Sequence, residues 1–449
     1  MPRALIFLFF LVMPGLILQA ACDRQEAAVE PPPGHRQDKS MPCDEDNGGL
    51  ILPDEFCAGI VADNLGFIRH LAVNHNGDIY VTMRNRRLNL GGLLGLRDID
   101  QDGRMDRIEK ISDIPGMGVA VRGDNLYFAS DQVIYRYRLS PGELVPRLPP
   151  QVIVRDLPEQ PLHGGKPFAL DDGRWLYVNI GSPSNACQVD DRLDGRTGLD
   201  PCPELVNQAG IWRFAADVTG QTQVRGGYHY ARGIRNAYAI DWHPVVDRLY
   251  VVQHGRDQLQ DQWPELYTEE QGAKLPAEEF LQVEEGADYG WPYCYFDQLQ
   301  GKRLLAPEYG GDGKTVGPCD RHPPPLIAFP GHYGPNDMKF YAGDHFPARY
   351  RNGAFIAFHG SYNRGPFEQV GYQVIFVPFA GDRPAGQWEV FIDGFAGTEN
   401  VMQPEDAAHR PTGLAIGPDG SLYVADSVQG RIWRILHAGG QPPTAADRP

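Results

Sequence analysis

Gly420–Leu436 reads GSLYVADSVQGRIWRIL. A Gly-Ser turn leads into LYVAD, a short run of strand formers. The polar DSVQG breaks it, and RIWRIL resumes as a second strand. The first half of the phrase recurs as NGDIYVTMR (Asn76–Arg84), DNLYFASDQVIYRYRL (Asp124–Leu139), GRWLYVNIG (Gly173–Gly181), DRLYVVQHG (Asp247–Gly255) and GAFIAFHG (Gly353–Gly360). Second strands follow in several copies, as in IYRYRL, GIWRFAAD and YQVIFVPF. Strand pairs repeating at this spacing predict a radial array, an all-β six-bladed β-propeller. An early strand-like segment, Ala58–Asn64, would complete the last blade and remove the sheet edge that an open array leaves unpaired. A two-sheet sandwich is the alternative, and so many phrases along so long a chain fit it poorly.

Composition agrees. The 449 residues include 52 Gly, 39 Pro, 7 Trp, 20 Tyr and 20 Phe, a stock of turn and strand formers rather than of long helices. Length alone does not require a second domain, since all-β propellers run long. The formal charge of -17 would repel phosphate over most of the surface, which excludes nucleic acid and an anionic membrane face as partners. A small or neutral partner is expected. No Gly-rich strand-to-helix turn is present, which disfavours a nicotinamide dehydrogenase.

The N-terminus, MPRALIFLFFLVMPGLILQAAC, is expected to be an export signal over residues 1–21, with Cys22 a candidate for lipoprotein-type acylation and release by simple cleavage the alternative. Residues 22–49 carry Pro31-Pro32-Pro33 and many charges and read as a tether; residues 50–437 are the propeller and 438–449 a disordered tail. The expected location is the periplasm or cell envelope, with membrane attachment only through the lipid. Setting Cys22 aside leaves Cys43, Cys57, Cys187, Cys202, Cys294 and Cys319. Proximity suggests pairing each with its nearest neighbour, although six cysteines allow fifteen connectivities.

Asp98, Asp100, Asp102, Gly103, Asp106 and Glu109 fit D-x-D-x-D-G-x5-E, the oxygen-ligand spacing of a calcium loop, with Arg104 supplying a carbonyl. The flanks are short and Gly-broken, so an isolated structural calcium loop is expected rather than a helix-loop-helix unit. A solvated acidic turn is the alternative.

The runs LYVNIGSPSNAC, ARGIRNAYAIDWHP, HGRDQL, ADYGWPYCY, YAGDHFPARYRNGAFIAFHGSYNR and HRPTGLAIGPDGSLYVADSVQGRIWRI occur in an order that resembles the glucose/sorbosone dehydrogenase family. That family consists of exported six-bladed propellers using pyrroloquinoline quinone and calcium. The resemblance implies oxidation of a sugar or sugar-derived aldehyde or alcohol, with electrons passed to a periplasmic cytochrome or quinone.

It also implies roles. The cofactor is a flat ortho-quinone with three carboxylates, and guanidinium forks suit carboxylates. Arg235 and Asn236 match the family's cofactor-binding pair, Arg410 a further arginine, and Arg364 another; Arg232 is supporting only. His163 falls where the family carries its catalytic base, with His254 and His359 next in line. Lys166 stands where relatives place an arginine, so it offers a point charge instead of a fork. The cofactor's calcium is expected on the Gly255 and Arg256 carbonyls, with Asp257 as helper. His332, Tyr333, Tyr362 and Trp291 are candidate platforms for a sugar ring. A metal-dependent propeller lactonase or hydrolase and a non-catalytic binding propeller are the alternatives.

Overall fold

A computed structural model describes residues 43–438 apart from 86, 87 and 89. The export signal, Cys22, the tether up to residue 42 and the tail from 439 lie outside the described residues. Among those described, six antiparallel sheets of four strands form a ring. The innermost strands are Ile68–Val73, Gly116–Arg122, Phe168–Leu170, Ala239–His243, Pro335–Phe340 and Pro411–Ile416, which define blades 1 to 6. Each packs against the innermost strand of the next blade, and blade 6 against blade 1.

At the seam between blades 6 and 1 the inner strands come so close that a side chain is excluded at one position. A Cβ on Gly413, in the inner strand of blade 6, would lie 2.3 Å from the Arg69 carbonyl of blade 1. Glycine is therefore required there for packing rather than for an unusual dihedral.

The phrase that opened the sequence is the second and third strands of blade 6, Leu422–Asp426 and Ile432–His437. Its fourth strand is Phe56–Ala62 from the other end of the chain, in the register Phe56↔His437 and Ile60↔Trp433. The expected closing strand is present, starting two residues earlier than the sequence suggested. Phe56 seats it by meeting Phe346 and Phe391 edge-on at centroid distances of 4.8 and 4.9 Å. Burying one such ring contributes about 1.5–3 kcal/mol. Residues 43–49, assigned to the tether by the sequence, are folded onto this blade: Asp44 accepts from the Ile60 amide at 2.8 Å, and Trp433 Nε1 donates to the Gly48 carbonyl.

The three neighbouring cysteine pairs are formed: Cys43–Cys57, Cys187–Cys202 and Cys294–Cys319. The second staples the loop between the second and third strands of blade 3, Trp175–Ile180 and Gly210–Ala215. In blade 4 the corresponding connection, between Arg248–Gln253 and Glu278–Val283, holds two short helices, Leu259–Gln262 and Glu269–Lys274. Thr268 and Gln271 cap the second in a reciprocal box. Both insertions rise on the end of the ring where inner strands begin, and that end carries the site.

Candidate active site

A cavity of about 250 Å³ opens there on the propeller axis. His163, Arg235, Asn236, His254, Gly255 and Asp257, named from the sequence, all line it, as do Arg69, Arg84, Tyr238, Glu278 and Asn336, which were not.

His163 precedes the inner strand of blade 3 with a left-handed backbone, φ 50°. A Cβ on Gly181 would fall 2.6 Å from the His163 Cβ and 2.7 Å from Asn236 Oδ1, so glycine there lets both side chains approach. The His163 Nδ1 lies 2.8 Å from the Ser182 carbonyl. A carbonyl only accepts, so Nδ1 carries the hydrogen and Nε2 keeps its lone pair. Burial first, and then the Arg235 charge, hold the imidazole pKa well below its ordinary value, and the ring is neutral at pH 7.

His254 has the opposite polarity. The Ala237 amide donates to Asn179 Oδ1 at 3.0 Å, so Asn179 Nδ2 donates to Asn236 Oδ1 at 3.0 Å, and Asn236 Nδ2 in turn donates to His254 Nδ1 at 2.9 Å. The His254 hydrogen is therefore on Nε2. Burial, then Arg235, push its pKa down to about 3. Of the two rings, His163 is the acceptor and His254 the donor.

Arg235 is 2 % exposed and fully engaged. Its Nη1 donates to the Gly255 carbonyl at 2.8 Å, its Nε and Nη2 reach Asn185, and Nη2 pairs with Asp257 Oδ2 at 3.0 Å. Asp257 also holds Arg192 at 2.8 Å and accepts from Asn363 at 3.0 Å. Burial alone would raise the Asp257 pKa; Arg235 and Arg192 outweigh it and hold the carboxyl well below the usual range. Glu278 accepts from the Gly255 amide at 2.9 Å and the Gly334 amide at 3.3 Å, tying loops of blades 4 and 5 together. Burial pushes its pKa up to about 8.

The wall formed by blades 1 and 6 is different. Arg69 makes one hydrogen bond to protein, Nε to the Arg84 carbonyl at 3.3 Å, and Arg410 rests on the His359 and Gly360 carbonyls at 2.9 and 2.6 Å. Among the described residues neither has a carboxylate within ion-pair distance, whereas Arg84 grips Asp131 with both ends of its fork at 2.9 and 2.7 Å. Burial first, with Arg84 and Arg410 adding to it against Tyr238, pushes the Arg69 pKa down to about 10.

Most of the remaining expected site residues lie elsewhere, while His332, His359 and Tyr362 also line the cavity. Lys166 is wholly buried with Nζ on the Gly164 carbonyl at 2.6 Å and is not among the residues lining the cavity; burial pushes its pKa down to about 8. Arg364 turns to the Ala273 and Glu368 carbonyls, and Arg232 pairs with Asp288 on the outside. Arg256 points away from the axis into Glu308 and Gln262. His332 lines the cavity and Tyr362 is exposed at its mouth, while Trp291 is buried with Nε1 on the Asn185 carbonyl and Tyr333 packs on Phe358.

The acidic loop joins the third and fourth strands of blade 1, Leu90–Arg97 and Arg107–Ser112. Asp98, Asp100 and Asp106 bring their oxygens within 4.8 Å of one another. Asp102 instead accepts the Arg104 amide at 2.7 Å, and Arg104 reaches Asp44. Glu109 stays outside the cluster, paired with Arg107 at 2.9 Å. In a helix-flanked loop the last turn would return that carboxylate to the ion. Here a strand begins at Arg107 and carries it outward at about 3.3 Å per residue.

The chain resembles, in structure, the holo form of the pyranose dehydrogenase PQQ domain from Coprinopsis cinerea, with TM-score 0.67, 20 % identity, and coverage of 86 % of this chain and 97 % of that one. It also resembles the calcium structure of a Trichoderma reesei protein of carbohydrate-active enzyme family AA12, with TM-score 0.69, 19 % identity, and coverage of 87 % and 97 %. The PQQ-bound aldose sugar dehydrogenase of Streptomyces coelicolor gives TM-score 0.51 at 18 % identity over 86 % and 99 %. Among curated sequences, an uncharacterized protein of Borreliella burgdorferi is 27 % identical over 215 residues, 46 % of this chain and 48 % of the relative, so the match spans about half of each. The TrAA12-like family model matches residues 50–438, from the start of the propeller through its last strand, and the chain belongs to the TrAA12-like family.

Proposed function

We propose that the chain is a quinoprotein dehydrogenase that binds pyrroloquinoline quinone in the axial cavity and oxidises a sugar or sugar-derived aldehyde or alcohol. The observation that carries this reading is that one cavity is lined on one side by a guanidinium that lacks a carboxylate partner, Arg69, with Arg410 behind the lining on the His359 and Gly360 carbonyls, and on the other by an imidazole whose lone pair is free, His163. Half-buried cations without counter-ions favour an anionic ligand, and three carboxylates on a rigid ring system meet that demand. The quinone-binding dehydrogenases among the structural neighbours support the same ligand.

When bound, the quinone supplies a two-electron carbonyl acceptor for hydride. His163 accepts the substrate hydroxyl proton at Nε2 as the carbon–hydrogen bond breaks, and its Nδ1–H bond to Ser182 fixes the ring and steadies the imidazolium. Asn236 and Arg235 hold the Gly255–Asp257 turn and the His254 tautomer in place. Calcium fits this turn less well as it stands: Arg235 occupies the Gly255 carbonyl, and the Asp257 carboxylate is already shared by two arginines and Asn363. Calcium belongs to the proposal as a cation whose requirement the uptake experiment reads. Three disulfides support function outside the reducing cytoplasm, with a periplasmic cytochrome or quinone as electron acceptor.

The test is uptake of pyrroloquinoline quinone by the purified chain with and without calcium, followed by dye reduction across a sugar panel. Binding at micromolar quinone and turnover of at least one sugar are expected. No binding and no turnover would overturn the reading, and metal-dependent lactone cleavage would put a hydrolase in its place.

A further inference from the structure

The Gly255–Asp257 turn joins the oxygens of a hard-cation site to a cation of the protein's own. It offers the Gly255 carbonyl and the Asp257 carboxylate, and both residues line the axial cavity. Carbonyl and carboxylate oxygens are the ligand types that calcium takes. Each is already held by a donor. Arg235 Nη1 stands on the Gly255 carbonyl at 2.8 Å and Arg235 Nη2 on Asp257 Oδ2 at 3.0 Å, so one guanidinium bridges the two. Arg192 shares Oδ2 at 2.8 Å, Asn363 holds Oδ1 at 3.0 Å, and Asn185 Nδ2 donates to the Asp257 carbonyl at 3.0 Å.

These donors differ in kind. Arg192 and Asn363 touch the carboxylate and leave the Gly255 carbonyl alone, whereas Arg235 spans both with a single fork and puts its charge where a bound cation would have to stand. Arg235 also has an anchorage outside the turn. Its Nε lies on the Asn185 carbonyl at 3.2 Å and its Nη2 on Asn185 Oδ1 at 3.0 Å. The fork can therefore leave the turn and stay attached to the blade 3 loop that carries Asn185.

We infer that Arg235 and a divalent, oxygen-seeking cation are alternative occupants of the Gly255–Asp257 turn: the guanidinium closes the site, and calcium enters by displacing it. This rests on the dehydrogenase reading only for the cavity's other ligand, since the exchange itself concerns the metal and the protein alone. The metal by itself binds weakly, because two positive groups cannot share the same oxygens and entry breaks two hydrogen bonds. Once displaced, Arg235 keeps its hold on Asn185 and turns its charge from the turn to the cavity it lines, where it serves an anion. One residue is a clamp in the first state and an anion partner in the second.

The test is calcium alone, titrated by calorimetry into the full chain without quinone. Arg235→Met should bind calcium at least about tenfold more tightly than the wild type, because the competing charge is gone. Arg192→Met relieves the carboxylate and leaves the Gly255 carbonyl taken, so its calcium affinity should stay within about threefold of the wild type. If Arg235→Met does not fold, Arg235→Gln removes the same charge, keeps an amide donor for Asn185, and carries the comparison. In the wild type, saturating calcium should shift the Arg235 Nε–H resonance. Equal or weaker calcium binding by the Arg235 variants, equal gains in the two arginine variants, an Arg235 resonance indifferent to saturating calcium, or no calcium binding by any form each overturns the inference. Tighter calcium binding by the Arg235 variants with no quinone uptake by any form would end the dehydrogenase reading and leave the exchange standing. Quinone uptake by the wild type with no gain in calcium affinity would do the reverse.

Discussion

The two walls of the axial cavity handle charge differently. On the side of blades 3 and 4, charge is compensated within the protein: Arg235 and Arg192 share Asp257, and Glu278 is buried against two backbone amides. On the side of blades 1 and 6, Arg69 and, behind the lining, Arg410 rest on carbonyl oxygens with no carboxylate partner, Arg410 also lying over the Tyr372 ring. The first wall is set in place before any ligand arrives; the second holds charge that a ligand can neutralise. The arginine most conspicuous in the sequence, Arg235, is therefore a structural clamp on the Gly255–Asp257 turn, and the main attraction for an anion is expected from the opposite side.

The sharpest way to break this contrast is to remove one arginine from each wall. Arg69→Ala takes away a charge-assisted contact to a desolvated anion, about 2–4 kcal/mol, or roughly thirty- to a thousand-fold in quinone affinity read by fluorescence titration. Its Tm should hold or rise, because the cation has no partner to abandon. Arg235→Ala should instead lower Tm, since breaking a buried pair costs about 3–5 kcal/mol. Equal Tm losses in the two variants would erase the distinction between the walls.

His163→Ala tests the compensated wall where it meets the substrate. Turnover should fall by about a hundred-fold or more while quinone affinity stays near the wild-type value. Because the neutral ring is already dominant at pH 7, the wild-type rate should show no His163 titration between pH 6 and 8. An active His163→Ala would remove the base assignment.

A smaller effect is expected at Glu278. Its folded pKa, about 8, lies above the unfolded value, so the protonated form is favoured by the fold. That contribution is complete below the unfolded pKa and is lost as pH rises toward and through 8. The Tm of the wild type should fall from pH 5 to 8.5 more steeply than that of Glu278→Gln, and parallel curves would contradict the burial argument. The smallest effect is at Glu109, half-exposed and paired only with Arg107: Glu109→Gln should change stability by under about 0.5 kcal/mol, with or without calcium. A larger loss confined to calcium-containing buffer would return Glu109 to the acidic cluster.

What could be read in advance follows the range of the interactions. Blades are local: a turn and two strands within about twenty residues leave a period in the sequence, so the six-bladed array and even its closing strand were legible in phrases such as GSLYVADSVQGRIWRIL. The site is not local. Arg69, Glu278 and Asn336 come from three blades and meet only because the ring closes, and no spacing in the chain encodes that meeting. Glu278 left no trace: it opens the strand Glu278–Val283 beside a second glutamate, and only the fold shows that the whole strand is buried. His163, Arg235 and Asn236 were reached through resemblance, which identified the residues without showing which charges were already compensated. In the acidic loop the spacing was legible and the geometry was not: Asp98, Asp100 and Asp106 come together, while Glu109 lies on a strand and pairs with Arg107.

The closing strand also sets an order of events. Phe56–Ala62 is among the earliest parts of the propeller to leave the ribosome, and its partner, Ile432–His437, is the last. Until both ends of the chain exist, the first strand has no place to pair and blade 6 has an open edge. Blades 1 to 5 can be assembled from neighbouring segments, but the contact of Arg69 and Gly413 across the final seam forms only once the inner strand of blade 6, Pro411–Ile416, is made. The ring therefore closes last at blade 6, and a chain shortened by its final strand would leave Phe56–Ala62 without its partner.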